Sequence, residues 1–175
     1  MTAAIASNPA DLVAAARRGD RRAFEGLYRQ HVGAIYGLCL RLCGDATVAE
    51  DVTQEAFVRA WRKLDTFRGD APFGAWLRRL AANAALNDRR SHTRRIARVI
   101  PMADTERAGV RRAPGAAMDL ERAVAALPPK PRHVFVLAAI EGWTHAEVGR
   151  ELGMPEGSSK ALLYQARKAL REALA

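Results

Sequence analysis

The stretch Gly142–Arg167 reads GWTHAEVGRELGMPEGSSKALLYQAR, with Gly153 between two segments of helical character. Thr144 stands three residues before Glu147 and just ahead of the apolar positions Val148 and Leu152, the pattern of a capping box at a helix start. Small Gly149 falls where a second helix can approach closely, Gly153 suits the left-handed turn that ends the first helix, and Met154 and Pro155 lead into the next. The spacing predicts a helix-turn-helix. On the second helix, Leu163 and Leu170 point into the domain at a spacing of seven, leaving Ser158, Lys160, Ala161, Tyr164, Gln165 and Arg167 around the outer side. That helix is a candidate DNA reader. Taken alone, the segment also fits an ordinary helical hairpin that binds no nucleic acid, so the rest of the chain must decide.

The whole chain has 175 residues, 28 Lys plus Arg against 19 Asp plus Glu, and a formal net charge of +9. Abundant Ala, Leu and Arg predict an all-α protein, and the basic excess makes polyanions plausible partners. With 49% hydrophobic residues there is apolar material for one ordinary domain or for two small ones. The N-terminus has no basic region followed by a long apolar core. The longest apolar run, Val134 to Ile140, is too short to span a bilayer, so a cytoplasmic location without membrane insertion is expected.

Two cysteines, Cys39 and Cys43, make no disulfide framework for a chain of this size. Four apart within IYGLCLRLC, they share one helix face. With His31 they could contribute to a metal site, but no second close Cys or His pair completes it, and buried packing is the preferred reading. The histidines His31, His92, His133 and His145 are scattered, and no Ser/His/Asp grouping, carboxylate pair or phosphate-cradling glycine loop occurs. No metal, no cofactor and no catalytic residue is expected.

Composition divides the chain. Residues from about Ala10 to Arg90 are helix-like with few breakers, whereas Ser91 to Asp119 mixes charge, glycine and proline without a stable period. Helical spacing resumes at Leu120 and is interrupted by LPPKPR at Leu127–Arg132, where three prolines separate one helix from the next. The expectation is two small helical domains, 1–92 and 119–175, joined by a flexible linker at 93–118.

Charge within the first domain is segregated. Asp45 to Val58 carries Asp45, Glu50, Asp51 and Glu55 with no Lys or Arg, and Leu77 to Arg98 carries seven arginines opposed by Asp88 alone. The acidic end repels DNA and the basic end attracts it. On a helix, Ala49, Val52, Ala56, Ala60 and Leu64 form an inward stripe widened by Phe57 and Trp61, while Asp51, Gln54 and Glu55 emerge on another side. Those three form a patch suited to a basic protein surface, although a merely solvated face is the commoner meaning of such a run. In LDTFRGDAPFGAWLRRLAANAALNDRR, Leu64–Arg90, a helix is expected to stop near Phe67 and Gly69 and another to begin near Phe73. Phe67 offers an apolar wall for an unstacked base, and Asn83, one turn beyond Arg79, offers a donor and an acceptor to a base edge. The spacing of Phe73 and Trp76 suits the core.

These residues resemble the extracytoplasmic-function (ECF) group of the sigma-70 family. The likeness runs from GDRRAFEGLYRQHVGAIYGLCLRLCGD through AEDVTQEAFVRAWRKLDTFRGDAPFGAWLRRLAANAAL to LPPKPRHVFVLAAIEGWTHAEVGRELGMPEGSSKALLYQARKALREAL, in order and spacing. The resemblance implies that Asp51, Gln54 and Glu55 contact the coiled coil of the largest catalytic subunit of RNA polymerase. It implies that the loop with Phe67, Arg68 and Asp70, and the helix with Arg79 and Asn83, capture a flipped base of the −10 element. It assigns the −35 element to the C-terminal helix-turn-helix through Thr144, His145, Ser158, Lys160, Ala161, Tyr164 and Arg167. The expected partners are core RNA polymerase, promoter DNA and an anti-sigma factor, and the expected protein is a non-enzymatic promoter-specificity subunit that helps open the duplex. A conventional helix-turn-helix regulator of duplex DNA is the alternative, with an enzyme acting on nucleic acid more distant. The family usually has a β-branched apolar residue at Ser159, a serine at Ala161 and an arginine at Leu162, so its usual −35 preference transfers less safely. The linker's six arginines between Arg94 and Arg112 suit nucleic acid, polymerase or plain solvent.

Overall fold

The computed structural model describes the backbone of residues 9–97 and 120–175 and the side chains of residues 10–87 and 120–175. Among the described residues the secondary structure is helical, with no strand. α1 (Pro9–Arg17), α2 (Arg21–Cys43) and α3 (Ala46–Arg62) are followed by a 3-10 turn at Leu64–Thr66 and by α4 (Phe73–Ala97). Then come α5 (Leu120–Ala126), α6 (Pro129–Val134), a π-helical turn at Phe135–Ile140, α7 (His145–Leu152) and α8 (Glu156–Leu174). The chain divides into two compact units: α1, most of α2, α3 and α4 as far as Ala85 belong to the first, and α5 to α8 belong to the second.

Side-chain caps set the helix starts of the first unit. Asp20 Oδ1 accepts from the backbone N–H of Arg22 at 2.9 Å and of Ala23 at 3.2 Å, and Asp45 Oδ1 accepts from Val48 N–H at 3.0 Å. Leu27, Ile35 and Leu38 of α2 are fully buried, and the α3 stripe of Ala49, Val52, Ala56 and Ala60 is buried with them. Each leucine removed from water contributes roughly 1.5–3 kcal/mol, while alanines on the inward stripe leave neighbouring backbones room to approach. Phe57 is buried, but Trp61 at the stripe's margin stays 36% exposed and packs edge-on to Phe24 at 4.9 Å. Cys39 is buried, which pushes its thiol pKa up. No cluster of three or more metal-ligating side chains occurs among the described residues.

α4 runs to Ala97, past the boundary expected at 92. The residues SHTRRIA after Arg90 contain neither glycine nor proline, and Pro101 is the first breaker beyond Asp88, so nothing local stops the helix where the charge pattern suggests a linker. Residues 98–119, most of the expected linker, lie outside the described residues.

In the second unit Pro128 precedes α6 and Pro129 takes its first position, where a missing N–H costs no bond. The π turn closes with Glu141 N–H donating to Val136 O at 2.9 Å, and Gly142 follows at φ +73°. No periodicity in the sequence announces that extra residue per turn. Val124, Val134, Val136, Leu137 and Val148 form the core, and α8 adds Leu163, Ala166 and Leu170. Arg132 is buried beside them with its guanidinium donating to Ala125 O at 3.0 Å.

The α7–α8 hairpin takes the expected form. Thr144 Oγ1 accepts from Glu147 N–H at 3.2 Å, and the Glu147 carboxylate accepts from Thr144 N–H at 2.8 Å, a reciprocal capping box. Gly153 turns left-handed at φ +67°. At Gly149 an added Cβ would sit 2.6 Å from Met154 O, so only glycine lets the turn close against α7.

Candidate functional site

The first unit presents two surfaces. On α3, Asp51, Gln54 and Glu55 are all exposed, as the outward side of an amphipathic helix must be. Glu55 is paired with Arg59 one turn on, at 2.6 Å. Two apolar side chains missed by the sequence reading as surface groups continue this side: Val58 is 42% exposed and Trp61 is 36% exposed, four and seven residues after Gln54. Their helical register relative to Gln54 is the signal that could have found them. The face therefore combines charge, amide and apolar area.

The second surface is the loop before α4 and the first turns of that helix. Phe67 is buried, with its ring edge-on to Phe73 at 5.7 Å and tilted against Trp76 at 5.2 Å. Phe73 and Trp76 are 5.6 Å apart, and His31 adds a fourth ring 5.5 Å from Phe73. Burial lowers the His31 pKa, with the nearby Arg78 charge acting in the same direction. Arg68, Gly69 and Asp70 are exposed at the loop's tip, Gly69 at φ +82°. Arg79 is exposed on α4, and Asn83 one turn later is half-buried. Asn83 Oδ1 is buried without a hydrogen-bond partner among the described residues. Such an atom costs stability where no donor meets it. Trp76 joins loop to helix: half-buried rather than enclosed, it touches Phe67 and shares with Leu80 and Asn83 a side of α4.

The second unit presents α8. Ser158, Lys160, Ala161, Tyr164, Gln165 and Arg167 are exposed, Tyr164 at 67%. Lys160 is not a bare cation: its Nζ lies 2.7 Å from Glu156 Oε1, and the hydrogen bond from Lys160 holds the Glu156 carboxyl below its usual range. Leu162 is half-buried, intermediate between a reader side chain and a core one. Thr144 spends its side chain on the cap. His145 begins α7 with its Nδ1 2.9 Å from the hydroxyl of buried Ser159, a pairing that no sequence pattern signals.

Residues 27–95 match the family model for sigma-70 region 2, and residues 117–170 match that for sigma-70 region 4. The RNA polymerase sigma-H factor of Pseudomonas aeruginosa is 33% identical over 93% of this chain and 92% of its own length. The ECF RNA polymerase sigma factor SigL of Mycobacterium tuberculosis is 33% identical over 91% of this chain and 93% of its own. Among solved structures, the sigma factor RpoE from Bartonella quintana, in complex with the anti-sigma factor NepR, covers 86% of this chain and 96% of its own with a TM-score of 0.60; at 22% identity it speaks for the fold. The chain belongs to the ECF group of the sigma-70 family. Members of that family are transcription initiation factors rather than enzymes, and no helix among the described residues is long and apolar enough to cross a membrane.

Proposed function

We propose that this chain binds core RNA polymerase, recognises the −10 and −35 elements of its promoters and assists melting of the duplex, acting in the cytoplasm. Residues 1–92 serve polymerase and the −10 element, 119–175 serve the −35 element, and 93–118 link them. Asp51, Gln54 and Glu55 dock on a basic polymerase surface, with Val58 and Trp61 supplying apolar anchors beside them. Arg68, Asp70 and Arg79 meet the backbone and edges of the −10 strand, while Asn83 receives an unstacked base beside the loop that Phe67, packed on Phe73 and Trp76, holds in place. Thr144, His145, Ser158, Lys160, Ala161, Tyr164 and Arg167 form the −35 surface, and an anti-sigma factor is the regulatory partner.

The observation that carries this reading is Asn83 Oδ1, a buried acceptor without a donor on the helix that also carries the arginines. When the half-buried Asn83 side chain turns its amide outward, a base edge supplies the N–H that the oxygen lacks in the free protein. A regulator of closed duplex DNA gives neither that acceptor nor the acidic α3 side a purpose. Comigration with core polymerase, followed by permanganate footprinting of the resulting promoter complexes, tests the proposal. Reactive −10 thymines that depend on the chain are expected; failure to comigrate and an unreactive −10 region would refute it.

A further inference from the structure

Ser159 occupies an inward position on α8 and is completely buried, where a hydroxyl needs a hydrogen-bonding partner. Its Oγ lies 2.9 Å from His145 Nδ1, across the turn on the first residue of α7. This contact holds the imidazole at the head of the candidate reader helix, which also carries the Lys160–Glu156 pair.

We propose that Ser159 is a positioning residue for DNA binding: acting through His145, it presents the Nε2 edge of the imidazole to a phosphate of the −35 duplex. The inference rests on the −35 reading given above. A neutral imidazole carries one N–H and one acceptor nitrogen. In the proposed arrangement the Ser159 hydroxyl donates to Nδ1, which places the ring proton on Nε2, on the side of the ring away from the buried hydroxyl. An N–H held there is a donor for a phosphate oxygen, a contact that fixes the register of a helix-turn-helix on DNA without reading a base. The tether also orders the ring before binding, so less side-chain freedom is lost in the complex.

Ser159→Thr and Ser159→Val test this, because the two replacements have nearly the same shape and only threonine keeps the hydroxyl. In the full chain assembled with core polymerase, Ser159→Thr retains wild-type affinity for a fluorescent −35 duplex. Ser159→Val loses roughly three- to tenfold, the range of one hydrogen bond. His145→Ala causes a smaller loss on the Ser159→Val background than in wild type, since the two residues act as one unit. Two-bond 15N–1H couplings of the full chain show the Nε2–H form of His145 in wild type and Ser159→Thr, and a tautomer mixture in Ser159→Val. Equal affinity and equal couplings for the Val and Thr variants, or additive losses for His145 and Ser159, overturn the inference. Should the branched side chains unfold the protein, Ser159→Ala replaces them in the same cycle with His145→Ala. Tyr164→Ala keeps the two levels apart. Loss of binding there with no difference between Val and Thr rejects only the role of Ser159, whereas wild-type indifference to the −35 sequence rejects the −35 reading and this inference together.

Discussion

At the scale of single residues, stability and function pull apart at Asn83. Its buried carbonyl oxygen has no donor among the described residues, so Asn83→Ala should leave thermal stability unchanged or raised. The same substitution should weaken discrimination at one −10 position by roughly 1–3 kcal/mol, because a base edge then lacks its amide partner. Calorimetry of the free protein and binding across a −10 promoter panel check the two halves; a destabilised protein with intact discrimination would contradict the account. Lys160 behaves differently, since Glu156 already holds it. If Lys160 contacts one phosphate, Lys160→Ala should flatten the slope of log affinity against log salt by about 0.9 on −35 duplexes, independently of their sequence. Fluorescence anisotropy over a salt series, with the chain bound to core polymerase, measures this. A slope identical to wild type removes Lys160 from the backbone contacts.

At the scale of elements, the hairpin of α7 and α8 depends on one close approach. Gly149→Ala places a Cβ 2.6 Å from a backbone oxygen that no rotamer change can move, so the turn must open. A loss of about 1–3 kcal/mol is expected in denaturant unfolding, with −35 binding falling alongside it. On α3 the opposite outcome is expected: Asp51→Arg and Glu55→Arg lie on the exposed side, so helix content by circular dichroism should stay constant while affinity for core polymerase drops. Wild-type affinity of a folded double variant would remove the acidic side from the interface. These elements were legible because their signals are local. Thr144 with Glu147, Gly153, and the alanine stripe of α3 each express a rule that acts within a turn or two of helix. Less legible was whatever depends on partners distant in sequence. Phe67, expected to offer a wall to a base, is packed against Phe73 and Trp76, and the extent of its burial follows from tertiary packing alone. Ser159 reads as an outlier in a family pattern until His145, fourteen residues earlier, accounts for it. The reach of α4 to Ala97 has another cause: arginine-rich sequence suits a tether, but arginine favours helix where no glycine or proline intervenes.

At the scale of the molecule, segregation of charge matters more than its sum of +9. A uniformly basic chain binds DNA anywhere, whereas in the proposed reading an acidic side on α3 meets a basic protein and leaves the basic start of α4 and the exposed side of α8 for nucleic acid. The central claim is that this division of labour makes the chain a specificity subunit whose DNA contacts count only in company with polymerase. Runoff transcription with core enzyme on a genomic promoter library tests it most directly. Transcripts starting at discrete positions, dependent on added chain and lost when either the −10 or the −35 element is altered, are the predicted result. Absence of chain-dependent transcripts from every template, with the chain still folded and still binding duplex DNA alone, would contradict it.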